Sequence, residues 1–337
     1  MYESFYHLRA KPFALNPDPK FFFGSKGHKR AMAYLEYGLS LSEGFIVITG
    51  EIGAGKTMLV RNLFKKLEHE NVVAAQLVST QLEADDMLRA VSAAFGLEQE
   101  GLNKASLLKK LESYLLSIVK QGKRPLLVVD EAQNLAPRAV EELRMLSNFQ
   151  HAERPLLQSF LLGQPEFRIT LQSEEMQQLK QRVIASYHLG AMDASETCAY
   201  IQHRLEMVDW KNDPNISEDA YQRIHEYTGG IPRKINTLCD RLLLLGFLSD
   251  KHDFTAAEVQ EVIDDLGQEV AYSNGANGTK RGHGTPGEAV AEVEVALMGL
   301  EEKVENMERT LNRMLAMMRK LLHAVGQTQP KPGKNNV

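Results

Sequence analysis

Eight residues near the start of this 337-residue chain constrain its fold more than any others: Gly50-Glu51-Ile52-Gly53-Ala54-Gly55-Lys56-Thr57. They satisfy the spacing G-x-x-x-x-G-K-[ST] in full. A polyphosphate brings several negative charges and needs closely spaced backbone N–H donors. Glycines let the chain curl tightly enough to aim those donors inward. Such a loop works between a strand and a helix, because the helix N-terminus adds its positive end. The flanks suit both. Residues 44–49 read as a β-branched strand, and residues 56–69 as an amphipathic helix. On this reading Lys56 reaches the β- and γ-phosphates of ATP, and the Thr57 hydroxyl ligates Mg²⁺. The backbone from Gly50 through Met58 lines the nucleotide.

The alternation continues down the chain. Residues 72–78, 125–129 and 156–162 read as strands, and residues 82–95, 107–120 and 137–149 as helices. This pattern predicts an α/β fold with a parallel sheet and right-handed crossovers. A helix over residues 31–42 precedes the first strand. Strands are expected to stop near residue 170, and helices over 195–208, 217–227, 232–248 and 256–266 predict an all-helical lid. The domain reading follows. Residues 1–190 form the nucleotide-binding domain, including an aromatic and proline-rich segment over 1–30, and residues 191–270 form the lid.

Residues 271–288 have the composition of a flexible linker, 289–326 of a coiled coil, and 327–337 of a disordered tail. In the coil, Val293, Leu297, Leu300, Val304, Met307, Leu311, Met314, Met318, Leu321 and Val325 alternate four and three apart. That is a heptad seam needing a partner, although a helix folded back on the parent domain is the plainer alternative.

A second chemical element is Leu126-Leu127-Val128-Val129-Asp130-Glu131. Carboxylates at the C-terminal end of a buried parallel strand face the binding crevice. Asp130 would hold the Mg²⁺ shell, and Glu131 would orient and deprotonate an attacking water.

Composition adds exclusions. A net charge of −5 argues against a global nucleic-acid-binding field. Cys198 and Cys239 fit no metal spacing and are expected to be buried thiols. The start of the sequence lacks the pattern of a secretory signal, and no apolar run reaches the length of a spanning helix. A cytoplasmic protein is expected, without direct membrane insertion.

Together the loop, the Asp130-Glu131 element and the helical lid resemble an AAA+ P-loop ATPase. Three further segments resemble the ExeA type of secretion ATPase. One is the opening run Phe5-Tyr6-x-Leu8-x-x-Lys11-Pro12-Phe13-x-Leu15-x-Pro17-Asp18-Pro19; the others are Asp130-Glu131-Ala132-Gln133-Asn134 and Gly163-Gln164-Pro165-Glu166. Within that type the sequence is most similar to the XrtA/PEP-CTERM (exosortase) system-associated ATPase, over about residues 1–270. The resemblance implies that Gln164 is a sensor-1 residue near the γ-phosphate. It implies that Arg182 is an arginine finger acting on a neighbour's ATP, and that Arg233 is the sensor-2 arginine of the lid. Asn16, Pro17 and the phenylalanines Phe13, Phe21, Phe22 and Phe23 would pack near the adenine, with core packing an equal account. A homo-oligomer is implied, through the ATPase domain, the coiled coil or both. So is an inner-membrane export or polysaccharide-assembly partner that holds the protein at the inner membrane. ExeA-type proteins can carry a membrane helix and a peptidoglycan-binding region where this sequence has a linker and a coil.

Two other classes share this core. A nucleotide-switched DNA-binding protein of the transposition or initiator type would need a basic stripe or a winged helix after the lid. A small-molecule kinase would need an acceptor pocket where Glu131 is arranged for water.

Overall fold

The computed structural model describes residues 1–78 and 84–275. The rest of the expected linker, the heptad segment over 289–326 and the tail over 327–337 lie outside the described residues. Five strands form the main sheet: β1 (Phe45–Gly50), β2 (Val72–Val78), β3 (Arg124–Asp130), β4 (Gln158–Gly163) and β5 (Val183–Leu189). Their order is β2-β3-β4-β1-β5, with every pairing parallel. β1 and β4 are buried along their whole length, and β3 from its second residue on. Helices cover both faces of the sheet, so its interior strands read as unbroken apolar runs.

The faces follow the two-residue period of a strand. Ile46, Ile48, Leu126, Val128, Phe160 and Leu162 pack under α1 (Lys26–Leu41) and α2 (Lys56–Leu67). Phe45, Val47, Leu127, Val129 and Leu161 pack on the other face. There they meet α3 (Ala84–Ala94), α4 (Lys104–Lys120) and α5 (Pro137–Leu146).

β5 corrects the expectation that strands end near residue 170. It pairs with β1 from Phe45↔Val183 to Gly50↔Leu189, with one irregularity after Phe45. As an edge strand it is mostly half-exposed. Its sequence therefore carries Ser186, Tyr187 and His188 and lacks the apolar run that reveals an interior strand.

The lid comprises α6 (Ala194–Glu206), α7 (Glu218–Thr228), α8 (Pro232–Ser249) and α9 (Ala256–Gly275). α9 continues past Leu266 to Gly275, so the first residues assigned to the linker are helical. Cys239 is buried in this lid, and Cys198 only partly so. Among the described residues no helix is long and apolar enough to cross a membrane.

The amino-terminal segment also departs from expectation. Tyr2, Tyr6, Leu8 and Phe13 belong to the lid's core, with Ile201, Leu205, Leu242 and Phe254, and not to that of the sheet. Tyr2 donates its hydroxyl to Asp240 at 2.5 Å, and Tyr6 donates to the Lys251 carbonyl at 2.9 Å. The aromatic and proline-rich composition of residues 1–30 does not say which core receives its rings. Gly246 makes the junction possible. A Cβ there would lie 2.2 Å from the Tyr6 hydroxyl and 2.4 Å from the Phe254 ring. Gly246→Ala is therefore expected to cost ~1–3 kcal/mol by overpacking. That corresponds to a fall in Tm of roughly 2–4 °C per kcal/mol for a domain of this size, read by circular dichroism. An unchanged melt would show that the segment is not docked there.

Candidate active site

The loop after β1 closes on itself through two glycines in the left-handed region, Gly53 at φ +84° and Gly55 at φ +98°. Each also meets a neighbour too closely for a side chain. A Cβ at Gly53 would lie 2.4 Å from the Cβ of Arg233, and one at Gly55 would lie 2.6 Å from His28 Nε2. Gly55 N-caps α2 without a side-chain cap. The first N–H groups of that helix are orphan donors at its positive end, suited to an anion. Lys56 opens the helix and is only 6% exposed. Its ammonium donates to the carbonyls of Gly50 at 2.6 Å and Glu51 at 3.0 Å, which folds the side chain back inside the curl. Burial pushes its pKa down, against the pull of the Glu131, Asp130, Glu51 and Glu166 carboxylates.

β3 delivers Asp130, 3% exposed, at its C-terminal end. Thr57 donates its hydroxyl to Asp130 Oδ2 at 3.2 Å, and the Glu131 N–H donates to Oδ1 at 3.0 Å. Burial pushes the Asp130 pKa up. The neighbouring Glu131 adds to that rise, while the Glu131 N–H, the Thr57 hydroxyl and Lys56 oppose it.

Glu131 turns sharply, at φ +56° and ψ +41°. A non-glycine residue held there stores on the order of 1–3 kcal/mol, a signature common at functional sites. Its carboxylate oxygen Oε2 accepts from two side-chain amides, Gln133 at 2.6 Å and Gln164 at 3.3 Å. The Gln133 carbonyl oxygen in turn accepts the Gln164 backbone N–H at 3.0 Å, which ties the ends of β3 and β4 together. Gln133 lies inside the motif Asp130-Glu131-Ala132-Gln133-Asn134, where nothing in the sequence assigns it a role. Its one signal was its place two residues after Glu131.

The lid closes the site from the other side. Arg233 stands exposed in the first turn of α8, and its backbone N–H donates to the Gly53 carbonyl at 3.2 Å. A cleft of about 360 Å³ opens between loop and lid, lined among others by Asn16, Pro17, Phe21, Thr57, Glu131 and Arg233. Phe22 and Phe23 line it as well, whereas Phe13 lies in the lid core.

Arg204, which sequence reasoning missed, reaches the same cleft and is 6% exposed. It donates to the Pro12 carbonyl at 2.6 Å, the Ala14 carbonyl at 3.3 Å and the Tyr200 hydroxyl at 2.8 Å. Its guanidinium lies 4.9 Å from the Phe21 ring. It thus fixes the amino-terminal segment as a wall of the cleft. No local pattern marks such a contact, since its partners are about 190 residues away.

Arg182 stands apart from this group. It precedes β5 at the N-terminal edge of the sheet and donates to Ser147 and Asn148, each at 2.5 Å. Val183 pairs with Phe45, whereas the loop leaves β1 after Gly50. At 3.3 Å per residue the arginine starts about 20 Å from its own loop. The structure therefore brings together Lys56, Thr57, Asp130, Glu131, Gln164 and Arg233, and leaves Arg182 outside.

The atoms present suit a magnesium–triphosphate. Asp130 and Thr57 offer hard oxygens 3.2 Å apart, close to the ~3 Å separation of adjacent ligands around an octahedral ion with ~2.1 Å bonds. The glycine curl and the buried ammonium offer donors to phosphate oxygens.

Residues 40–171 match the family described as AAA domain. A general secretion pathway protein A from Aeromonas hydrophila is 37% identical over 260 residues, 77% of this chain and 47% of that protein. The chain thus spans about half the length of that relative. Among solved structures, the Aeropyrum pernix ORC2 protein in its ADP form superposes with a TM-score of 0.56 at 17% identity, over 75% of this chain and 71% of that one. Cdc6p from Pyrobaculum aerophilum gives 0.57 at 14% identity, over 75% and 70%. At such identities these likenesses show the fold alone. The described residues thus have the AAA P-loop fold, a parallel sheet core followed by a helical lid.

Proposed function

We propose that this chain is an ATPase of the general secretion pathway protein A (ExeA) type, which binds Mg²⁺-ATP between loop and lid and hydrolyses it to ADP and phosphate. The observation that carries this reading is the convergence of Lys56, Thr57, Asp130 and Glu131 at the C-terminal ends of β1 and β3, which flank β4. Lys56 and the loop amides hold the phosphates, and Thr57 and Asp130 hold the metal shell. When bound, magnesium neutralises charge on the phosphate oxygens. Glu131 takes the proton of the attacking water. The Gln133 and Gln164 amides aim its carboxylate, and Gln164 is positioned to register the γ-phosphate. Arg233 brings a cation from the lid, so closure of the cleft completes the site.

Arg182, too far from its own loop, acts on the nucleotide of a second copy, where it offsets transition-state charge. The active form is then a homo-oligomer, held through this domain, through the heptad segment or through both. The nucleotide state of that oligomer powers or regulates assembly of a bacterial envelope export system. In the finer reading the system is linked to exopolysaccharide and exosortase genes. The 37% identity to the Aeromonas protein and the opening aromatic and proline run support the broader version, and the finer one rests on the resemblance over about residues 1–270. The protein works in the cytoplasm, peripheral to the inner membrane through its partner.

A mixing experiment tests the shared site. Arg182→Ala and Glu131→Gln are each expected to release little phosphate alone. Mixed in equal amounts they regain activity, because about a quarter of randomly formed interfaces pair an intact Glu131 with a neighbour's intact Arg182. Failure to regain activity at concentrations where the chains associate would refute the trans arginine.

A further inference from the structure

One buried polar side chain at the loop has no part in the chemistry above. His28 lies in the first turn of α1, 5% exposed, and its ring reaches the inner side of the phosphate loop. Its Nε2 fills the space in which a Cβ of Gly55 would sit, 2.6 Å from that position. Its other nitrogen, Nδ1, lies 2.7 Å from the Ser25 hydroxyl, which itself accepts the His28 backbone N–H at 3.2 Å. Phe22 packs edge-on against the ring at 5.6 Å.

The ring's two partners assign the tautomer. The Ala54 backbone bond favours the protonated ring, so its carbonyl accepts from Nε2–H, the nitrogen that faces the loop. Nδ1 is then left to accept the Ser25 hydroxyl, which keeps its own proton to give after accepting the His28 N–H. Burial holds the imidazole neutral by pushing its pKa down to about 4, against the Ala54 backbone bond and the Glu196 charge. The turn that carries His28 is also tied to the lid. The Lys26 N–H donates to Glu196 at 2.6 Å, and its ammonium donates to Asp193 at 2.9 Å. Asp193 and Glu196 form the capping box of α6.

We propose that His28 is a positioning residue for nucleotide binding: its Nε2–H, oriented by Ser25, holds the Ala54–Gly55 segment of the phosphate loop in its receiving shape, and the same helical turn links the loop to the lid. The role rests on the nucleotide-binding reading above, but the loop can also be followed without nucleotide.

Three variants of the full chain test it: His28→Ala, His28→Gln and His28→Asn. An amide nitrogen at the end of Gln reaches the place of Nε2, whereas that of Asn reaches the place of Nδ1. His28→Ala is expected to weaken Mg²⁺-ATP binding by about tenfold or more, the loss of one hydrogen bond and its packing. His28→Gln restores affinity to within about threefold of wild type, and His28→Asn does not. In nucleotide-free protein, hydrogen exchange of the amides at positions 53–56 rises in the Ala and Asn variants and stays near wild type in the Gln variant. Thermal melts identify any variant whose whole fold is lost, and the Gln variant alone then decides. Wild-type affinity in His28→Ala overturns the proposal, and so do equal effects of Gln and Asn. If the wild-type protein binds no nucleotide while His28→Ala still loosens the loop amides, the nucleotide reading fails and the positioning role stands.

Discussion

Lys56→Ala is expected to abolish measurable Mg²⁺-ATP binding at micromolar nucleotide while leaving the nucleotide-free fold intact. The ammonium is buried in the curl and already donates to two loop carbonyls. A phosphate oxygen is a charged acceptor, and it offers the ammonium bonds of about 1.5–3 kcal/mol each in place of those to neutral carbonyls. With two such bonds lost, affinity falls by roughly a hundredfold to ten-thousandfold, since each 1.4 kcal/mol is tenfold. The cost to the free protein is far smaller. Removing the side chain gives up two carbonyl contacts but also relieves a desolvated cation, whose burial depresses its pKa. Thermal melting with and without Mg²⁺-ATP separates the two effects. Ligand at a hundred times its Kd stabilises the wild type by about 2.7 kcal/mol. That shift should vanish in the variant, while the ligand-free midpoint moves by only a few degrees. A variant that keeps the nucleotide-induced shift would mean that the loop is a structural turn, and the proposed function would go with it.

What could be read from the sequence, and what could not, divides by the range of the contacts. The loop was legible because its chemistry is local. Glycines, a lysine and a threonine must occur at fixed spacing for backbone donors to converge, and eight consecutive residues carry all of it. Asp130 and Glu131 were legible because a buried apolar strand must end at the crevice of a parallel sheet. β1, β3 and β4 announced themselves for the same reason, being covered on both faces. β5 did not, because an edge strand is half wet and mixes polar with apolar residues.

The remaining misses involve distant partners. Arg204 binds carbonyls at Pro12 and Ala14, and Tyr2 binds Asp240 across 238 residues. A pattern scan sees an arginine on a helix and a tyrosine near a terminus. It does not see that the opening rings dock in the lid core and that the chain from Ala14 to Phe23 then forms a wall of the cleft. Gln133 and His28 lie between these extremes. Each sits within a few residues of a recognised element, yet its meaning depends on whether its amide or ring faces Glu131 or Gly55. Rotamers decide that, and spacing does not.

Glu131→Gln is expected to separate binding from hydrolysis. A general base contributes about 10²–10⁴-fold to rate, so phosphate release should fall by about that factor. Mg²⁺-ATP affinity should stay equal or rise. Three features of the site support that split. Glutamine has the shape of glutamate and the same backbone preferences, so the left-handed turn at φ +56° is no harder to hold than before. Its side-chain oxygen can still accept from Gln133, which keeps the β3 and β4 ends joined through the Gln164 backbone. And the lost charge is repulsive where it stands. It raises the Asp130 pKa and faces the region that receives phosphates, so removing it favours an anionic ligand. The measurements are single-turnover phosphate release and equilibrium binding of a fluorescent ATP analogue. A turnover above about a tenth of wild type would transfer water activation to another group. Weakened binding with normal turnover per bound nucleotide would instead make Glu131 a ligand-holding residue. The two amides that converge on its carboxylate would then serve to shape the cleft and not to aim a base.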